Sequence, residues 1–107
     1  MYTIFEPELP GHIDNEALVK CLEYIRIKLP NFIPNLNEKC EVNIIAVKSP
    51  HGEDYPAYGI IMNEGFDIED VKMKIDELIN NISINIILEN SIKVDSISWE
   101  SIKAKVD

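Results

Sequence analysis

The chain has 107 residues, a formal charge of −9 at neutral pH, and 46% apolar against 27% charged residues. That length and balance predict one folded domain, residues 1–107, with a single core rather than a disordered chain. The acidity argues against direct nucleic-acid binding, which needs clustered Lys and Arg where this sequence has Arg26 alone, and against anionic membrane surfaces.

Tyr2-Thr3-Ile4-Phe5 has strand composition and stops at the breakers Pro7, Pro10 and Gly11. Glu6-Pro7-Glu8 follows at once, which leaves no basic and apolar leader, and no apolar run reaches the length of a membrane span. A cytoplasmic protein is expected. Asp14 is a good N-cap for a first helix, with Ile13 placed to staple onto Leu18. Leu18, Cys21, Leu22, Ile25 and Leu29 recur at helical spacing until Pro30 ends the run. Residues 30–39, with two prolines and three Asn, predict a loop.

Cys40–Lys48 alternates as a strand, Ser49–Asp54 is turn chemistry, and Tyr55–Asn63 returns as a second strand of a hairpin. Asp67 caps a second helix, with Asp70 in a capping-box position and Phe66 facing Val71. Val71, Ile75, Leu78, Ile79 and Ile82 form its apolar stripe. Ser83–Glu89 predicts a strand with Ile84, Ile86 and Leu88 on one face. Residues 92–99 continue either as a fifth strand or, from Ser98, as a short helix. The order β-α-β-β-α-β with an appended element predicts an α+β fold, the ferredoxin-like two-layer sandwich, with two helices on one face of an antiparallel sheet. Such a fold carries almost no functional information.

The charge is segregated. Residues 1–16 and 49–71 contain no Lys or Arg and together carry −10, while the rest of the chain sums to +1. In the split βαβ order the first two strands run parallel, so the loops that follow them leave the same end. That end gathers Glu6, Glu8, Asp14, Glu16, Glu53 and Asp54. Asp14 and Glu16, like Asp67, Glu69 and Asp70 on the second helix, suit the free N–H groups and dipole of a helix start. Glu6, Glu8, Glu53 and Asp54 have no helix end of their own and are the residues expected to meet a partner.

These features predict a small acidic, non-enzymatic binding protein that covers the positively charged site of a basic protein. A toxin immunity protein and a phage-encoded inhibitor of a nucleic-acid enzyme are the two concrete forms. The Ile-, Asn- and Lys-rich composition, usual in AT-rich mobile genes, agrees. One alternative is an enzyme using His12 and His51, which fall at the same end, with Asp54 as a metal or acid/base site. There is no HExxH, EF-hand, phosphate loop or nucleophile elbow to support it, and no cofactor is expected. Cys21 and Cys40 fit no metal or redox spacing and predict buried free thiols. The other alternative is a structural homo-oligomer subunit. The hairpin strands are apolar on both faces, so the face without helices must be covered by the C-terminal element with Trp99, by a second copy in a homodimer, or by a partner. Its own tail is the plainest cover.

Overall fold

In the computed structural model, which describes residues 2–9, 11 and 13–105, the chain forms a mixed α+β domain. Strand β1 is Tyr2–Phe5, β2 is Cys40–Val47 and β3 is Tyr55–Met62. They make one antiparallel sheet in the order β1-β3-β2. Among the described residues there are five α-helices: α1 (Asn15–Lys28), α2 (Leu36–Lys39), α3 (Ile68–Asn81), α4 (Ile84–Ser91) and α5 (Trp99–Ala104).

Helix α1 starts where the sequence expects. The Asp14 carboxylate accepts from the Ala17 N–H at 2.8 Å, satisfying one of the free donors of the first turn. Its inner face buries Val19, Cys21, Leu22 and Ile25. Pro30 cannot donate to a further helical turn, and the chain tightens into a 3-10 turn at Leu29–Asn31. The expected loop 30–39 therefore holds this turn and the single turn of α2, which follows Asn35 in a left-handed conformation (φ 59°) that Asn tolerates better than most residues.

The hairpin pairs Cys40 with Met62 through to Val47 with Tyr55, and β1 pairs with β3 from Tyr2–Ile61 to Phe5–Tyr58. Alternation sends Val42, Ile44, Tyr58 and Ile60 to one face, where they share a core with Leu22, Ile25, Ile75, Leu78, Ile87 and Trp99. The core is aliphatic apart from Tyr58, Trp99 and the two cysteines. Tyr58 is fully buried, and its hydroxyl donates to the Leu22 carbonyl at 2.5 Å, which removes the cost of burying the phenol unpaired. Burial, with Glu23 nearby, holds its pKa well above the ordinary tyrosine value. Asp67 caps α3 by accepting from the Glu69 N–H, and Val71, Ile75, Leu78 and Ile79 form the buried stripe.

Two expectations fail. Ser83–Glu89 is not a strand. Ser83 caps α4, accepting from the Asn85 N–H at 3.2 Å, and Ile87 and Ser91 are buried while Ile84 and Leu88 pack against the core. Ile84, Ile87, Leu88 and Ser91 have the i, i+3, i+4, i+7 spacing of a helix, and α4 lies against α1. The Cys21 thiol donates to Ser91 Oγ across that contact. Without this strand the ferredoxin-like β-α-β-β-α-β order is incomplete. Residues 92–98 are not a strand either. The short-helix alternative is correct, because Ser98 and Ser101 form a reciprocal capping box at the start of α5.

The C-terminal element also does not cover the second sheet face. Trp99 and Ile102 join the helix-side core, against β2. The opposite face is open: Tyr2 is 54% exposed, Ile4 49% and Ile61 39%.

Candidate functional site

Strands β1 and β2 are each antiparallel to β3 and so point the same way, which puts the segments that follow them at one end of the sheet. Two hydrogen bonds tie those segments together. The Tyr55 hydroxyl donates to Glu6 Oε1 at 2.7 Å, and Asn15 Nδ2 donates to the Asp54 carbonyl at 3.0 Å. The carboxylate at Glu6 stabilises the protonated phenol, and the Tyr55 pKa is raised as a result. Glu6, Glu8, Asp14, Glu16, Glu53 and Asp54 are thus brought to a common end.

Their individual circumstances differ from the sequence expectation. Glu6 and Asp54 were expected to lack a local structural role, and both have one. Asp54 Oδ1 accepts from the Ser49 N–H at 3.3 Å and closes the β2–β3 loop, while Glu6 holds Tyr55. Asp14 caps α1. Glu16 lies in the first turn of α1, as expected, and also reaches beyond its own helix. Its Oε2 accepts from the Trp99 N–H at 2.8 Å, so the first turn of α1 anchors the first residue of α5. Glu8 and Glu53 are exposed and have no side-chain hydrogen bond or ion pair among the described residues. Of the six, these two carry charge with no internal task.

The sequence reading missed Asp76. It lies in the third turn of α3, which begins at the far end of the sheet after β3 and returns toward the end of β1. There Asp76 joins Glu6 and Glu8 around a cleft of about 440 Å³ whose other walls are Phe5, Ile79 and Asn80. The direction of α3 follows from the strand order, so its second half could have been assigned to this end. The acids at the start of α3 stay at the opposite end, as expected. Asp67 caps the helix, and Glu69 pairs with Lys72.

The ion pairs show where charge is compensated. All four among the described residues lie within one helix at i, i+3: Glu23–Arg26, Glu69–Lys72, Lys74–Glu77 and Glu100–Lys103. None involves the six acids of the sheet end. Lys20 on α1 and Lys48, just after β2, are the nearest cations along the chain.

His51 is exposed in the β2–β3 loop, and His12 lies outside the described residues. Among the described residues, no group of three or more His, Cys, Asp or Glu side chains is arranged to hold a metal ion. Cys21 and Cys40 are free and buried, and burial pushes both thiols above their ordinary pKa. That is the reverse of what a nucleophilic cysteine needs. Among the described residues no helix is long and apolar enough to cross a membrane.

No protein-family model matches the chain, and neither the curated proteins nor the solved structures yield a match.

Proposed function

We propose that this chain is a small, non-enzymatic cytoplasmic binding protein that neutralises a basic protein partner by covering its positively charged site with the acidic end of the sheet. A toxin immunity protein and a phage-encoded inhibitor of a nucleic-acid enzyme are the forms such a protein takes. Enzymes that act on nucleic acids present Lys and Arg grooves to phosphates, and a one-signed carboxylate surface competes for them with fast, salt-sensitive association. The observation that carries the reading is the contrast in compensation. Four helix acids, Glu23, Glu69, Glu77 and Glu100, pair with Lys or Arg of their own helix, whereas none of the six acids gathered at the sheet end has an ion pair among the described residues, and Glu8 and Glu53 have no side-chain hydrogen bond either. The β1-β3-β2 order also supports a ferredoxin-like sheet whose fourth-strand position beside β1 is vacant.

The test uses the product of the neighbouring gene as the candidate partner, with affinity measured calorimetrically at low and moderate salt. Glu8→Lys with Glu53→Lys should weaken binding at least tenfold and flatten its salt dependence, with the thermal midpoint nearly unchanged. Unchanged affinity in a folded double variant removes the acidic end from the account.

A further inference from the structure

The sheet face opposite the helices is exposed at Tyr2, Ile4 and Ile61, while Ile45 and Val47 are half-buried and Ala57 on the middle strand is buried. By the strand register, Tyr2 and Ile4 on β1, Ile45 and Val47 on β2, and Ala57 and Ile61 on β3 all point to it. None of them belongs to the helix-side core or its margin. A one-sided antiparallel sheet ordinarily presents alternating polar residues to water, and here the polar positions are confined to Glu41 and Asn43 on β2 and Tyr55 on β3. The face is also built to be continuous. Gly59 lies beneath the Tyr2 ring, and a Cβ there would collide with the Tyr2 hydroxyl and come within 3.1 Å of Ile45 Cγ2. Glycine at this position lets the aromatic ring lie down across the middle strand.

What covers the face is indicated by charge and size. Alternation places Glu41 and Asn43 on it, and Tyr55 at its margin reaches Glu6, so the apolar surface runs directly into the acidic end. None of its β1, β2 and β3 positions is Lys or Arg. A second copy would set these carboxylates against themselves. It would also gain little area. Strands of four, eight and eight residues span roughly 300 Å² at ordinary rise and spacing, against the roughly 800 Å² per side of a stable interface. We propose that this open face and the acidic end form one continuous docking surface for an amphipathic basic segment of the partner protein, its apolar residues lying across Tyr2, Ile4, Ile45 and Ile61 and its Lys and Arg beside Glu6, Glu8 and Glu53. This rests on the proposed binding of a basic partner and specifies how that partner is held.

The full chain, labelled with ¹⁵N, is titrated with two peptides of equal length and positive charge, one a Leu/Lys amphipathic helix former and the other Lys/Gly. The amphipathic peptide should bind at least tenfold more tightly and move the backbone resonances of Ile4, Ile45, Val47 and Ile61. Ile4→Ser with Ile61→Ser should abolish that difference. The resonance map needs only the natural chain, so poor folding of the double variant does not spoil the test. Equal affinities, or shifts confined to the loops of Glu8 and Glu53, overturn the docking surface while leaving the acidic-end reading intact. If the Lys/Gly peptide binds the Glu8→Lys, Glu53→Lys variant as well as the natural chain, the acidic-end reading fails instead. A concentration-dependent dimer in sedimentation equilibrium, broken by Ile4→Ser, assigns the face to a second copy and also overturns the proposal.

Discussion

Glu16 separates a structural carboxylate from a binding one, and its removal is the sharpest test of the structure. The Trp99 N–H is the first donor of α5, where a helix has no internal partner, and Glu16 Oε2 accepts it at 2.8 Å. Hydrogen bonds to a charged group contribute about 1.5–3 kcal/mol. The Glu16 side chain is exposed, so screening places this one at the lower end, about 1–1.5 kcal/mol. For a domain of this size each kcal/mol moves the thermal midpoint by about 4–8 °C. Glu16→Ala should therefore lower the midpoint by roughly 5–10 °C, and Glu16→Gln, which keeps an acceptor, by about half as much. Trp99 is the only tryptophan in the sequence and is 8% exposed, so its fluorescence reports directly on the seat of α5. Its emission should shift to the red in Glu16→Ala before the global transition. Glu8→Ala, which loses no hydrogen bond, serves as the control and should change stability by no more than about 0.5 kcal/mol. If Glu16→Ala melts with Glu8→Ala and leaves the Trp99 emission unchanged, the anchoring role is wrong.

Further outcomes follow from buried groups and from the unpaired charge. The Tyr58 pKa is held well above its unfolded value of about 10, so its contribution is complete below that pH and is lost as pH rises beyond it. Urea midpoints should fall above about pH 10, and less steeply in Tyr58→Phe; equal slopes would show that Tyr58 is not the group responsible. Cys21 and Cys40, buried and raised in pKa, should react with an aromatic disulfide reagent at pH 8 far more slowly than the unfolded chain does. Immediate labelling would contradict their burial. Like charges about 10 Å apart in water repel by about 0.4 kcal/mol per pair, an effect that 0.1 M salt largely screens. Glu8→Gln with Glu53→Gln should accordingly raise stability at low salt and reduce its rise with added sodium chloride; identical salt slopes would mean that these charges do not feel the patch.

What the sequence made legible was local. The caps at Asp14 and Asp67, the stripe of α3, the hairpin and the short α5 each depend on residues a few positions apart. The parallel direction of β1 and β2 was also foreseen, because it needs only the order of elements. Residues 84–88 resisted because their apolar positions satisfy two periods at once. Ile84, Ile86 and Leu88 alternate as in a strand, while Ile84, Ile87 and Leu88 repeat as in a helix. Ser83 as a cap and the packing of Ile87 and Ser91 on α1 decide for the helix. The site was less legible for a related reason. Glu6 finds Tyr55 49 residues away and Glu16 finds Trp99 83 residues away, and no local pattern announces either bond.

Those long-range bonds change what the charge segregation means. Four of the six acids at the sheet end help to hold segments in place: Asp14 starts α1, Glu16 fixes α5, Asp54 closes the hairpin loop and Glu6 fixes Tyr55. Substituting them tests structure and binding together, and a loss of binding there would be ambiguous. Glu8 and Glu53 are different. They add repulsion to an already negative end without a compensating contact among the described residues, which is unfavourable for the isolated domain. The same chain pairs acids with Lys or Arg in four places within its helices. An unpaired charge beside an uncovered apolar face is therefore costly twice over, in repulsion and in exposed hydrocarbon. A single basic amphipathic partner would relieve both costs at once, and for this reason the two surfaces are best regarded as one.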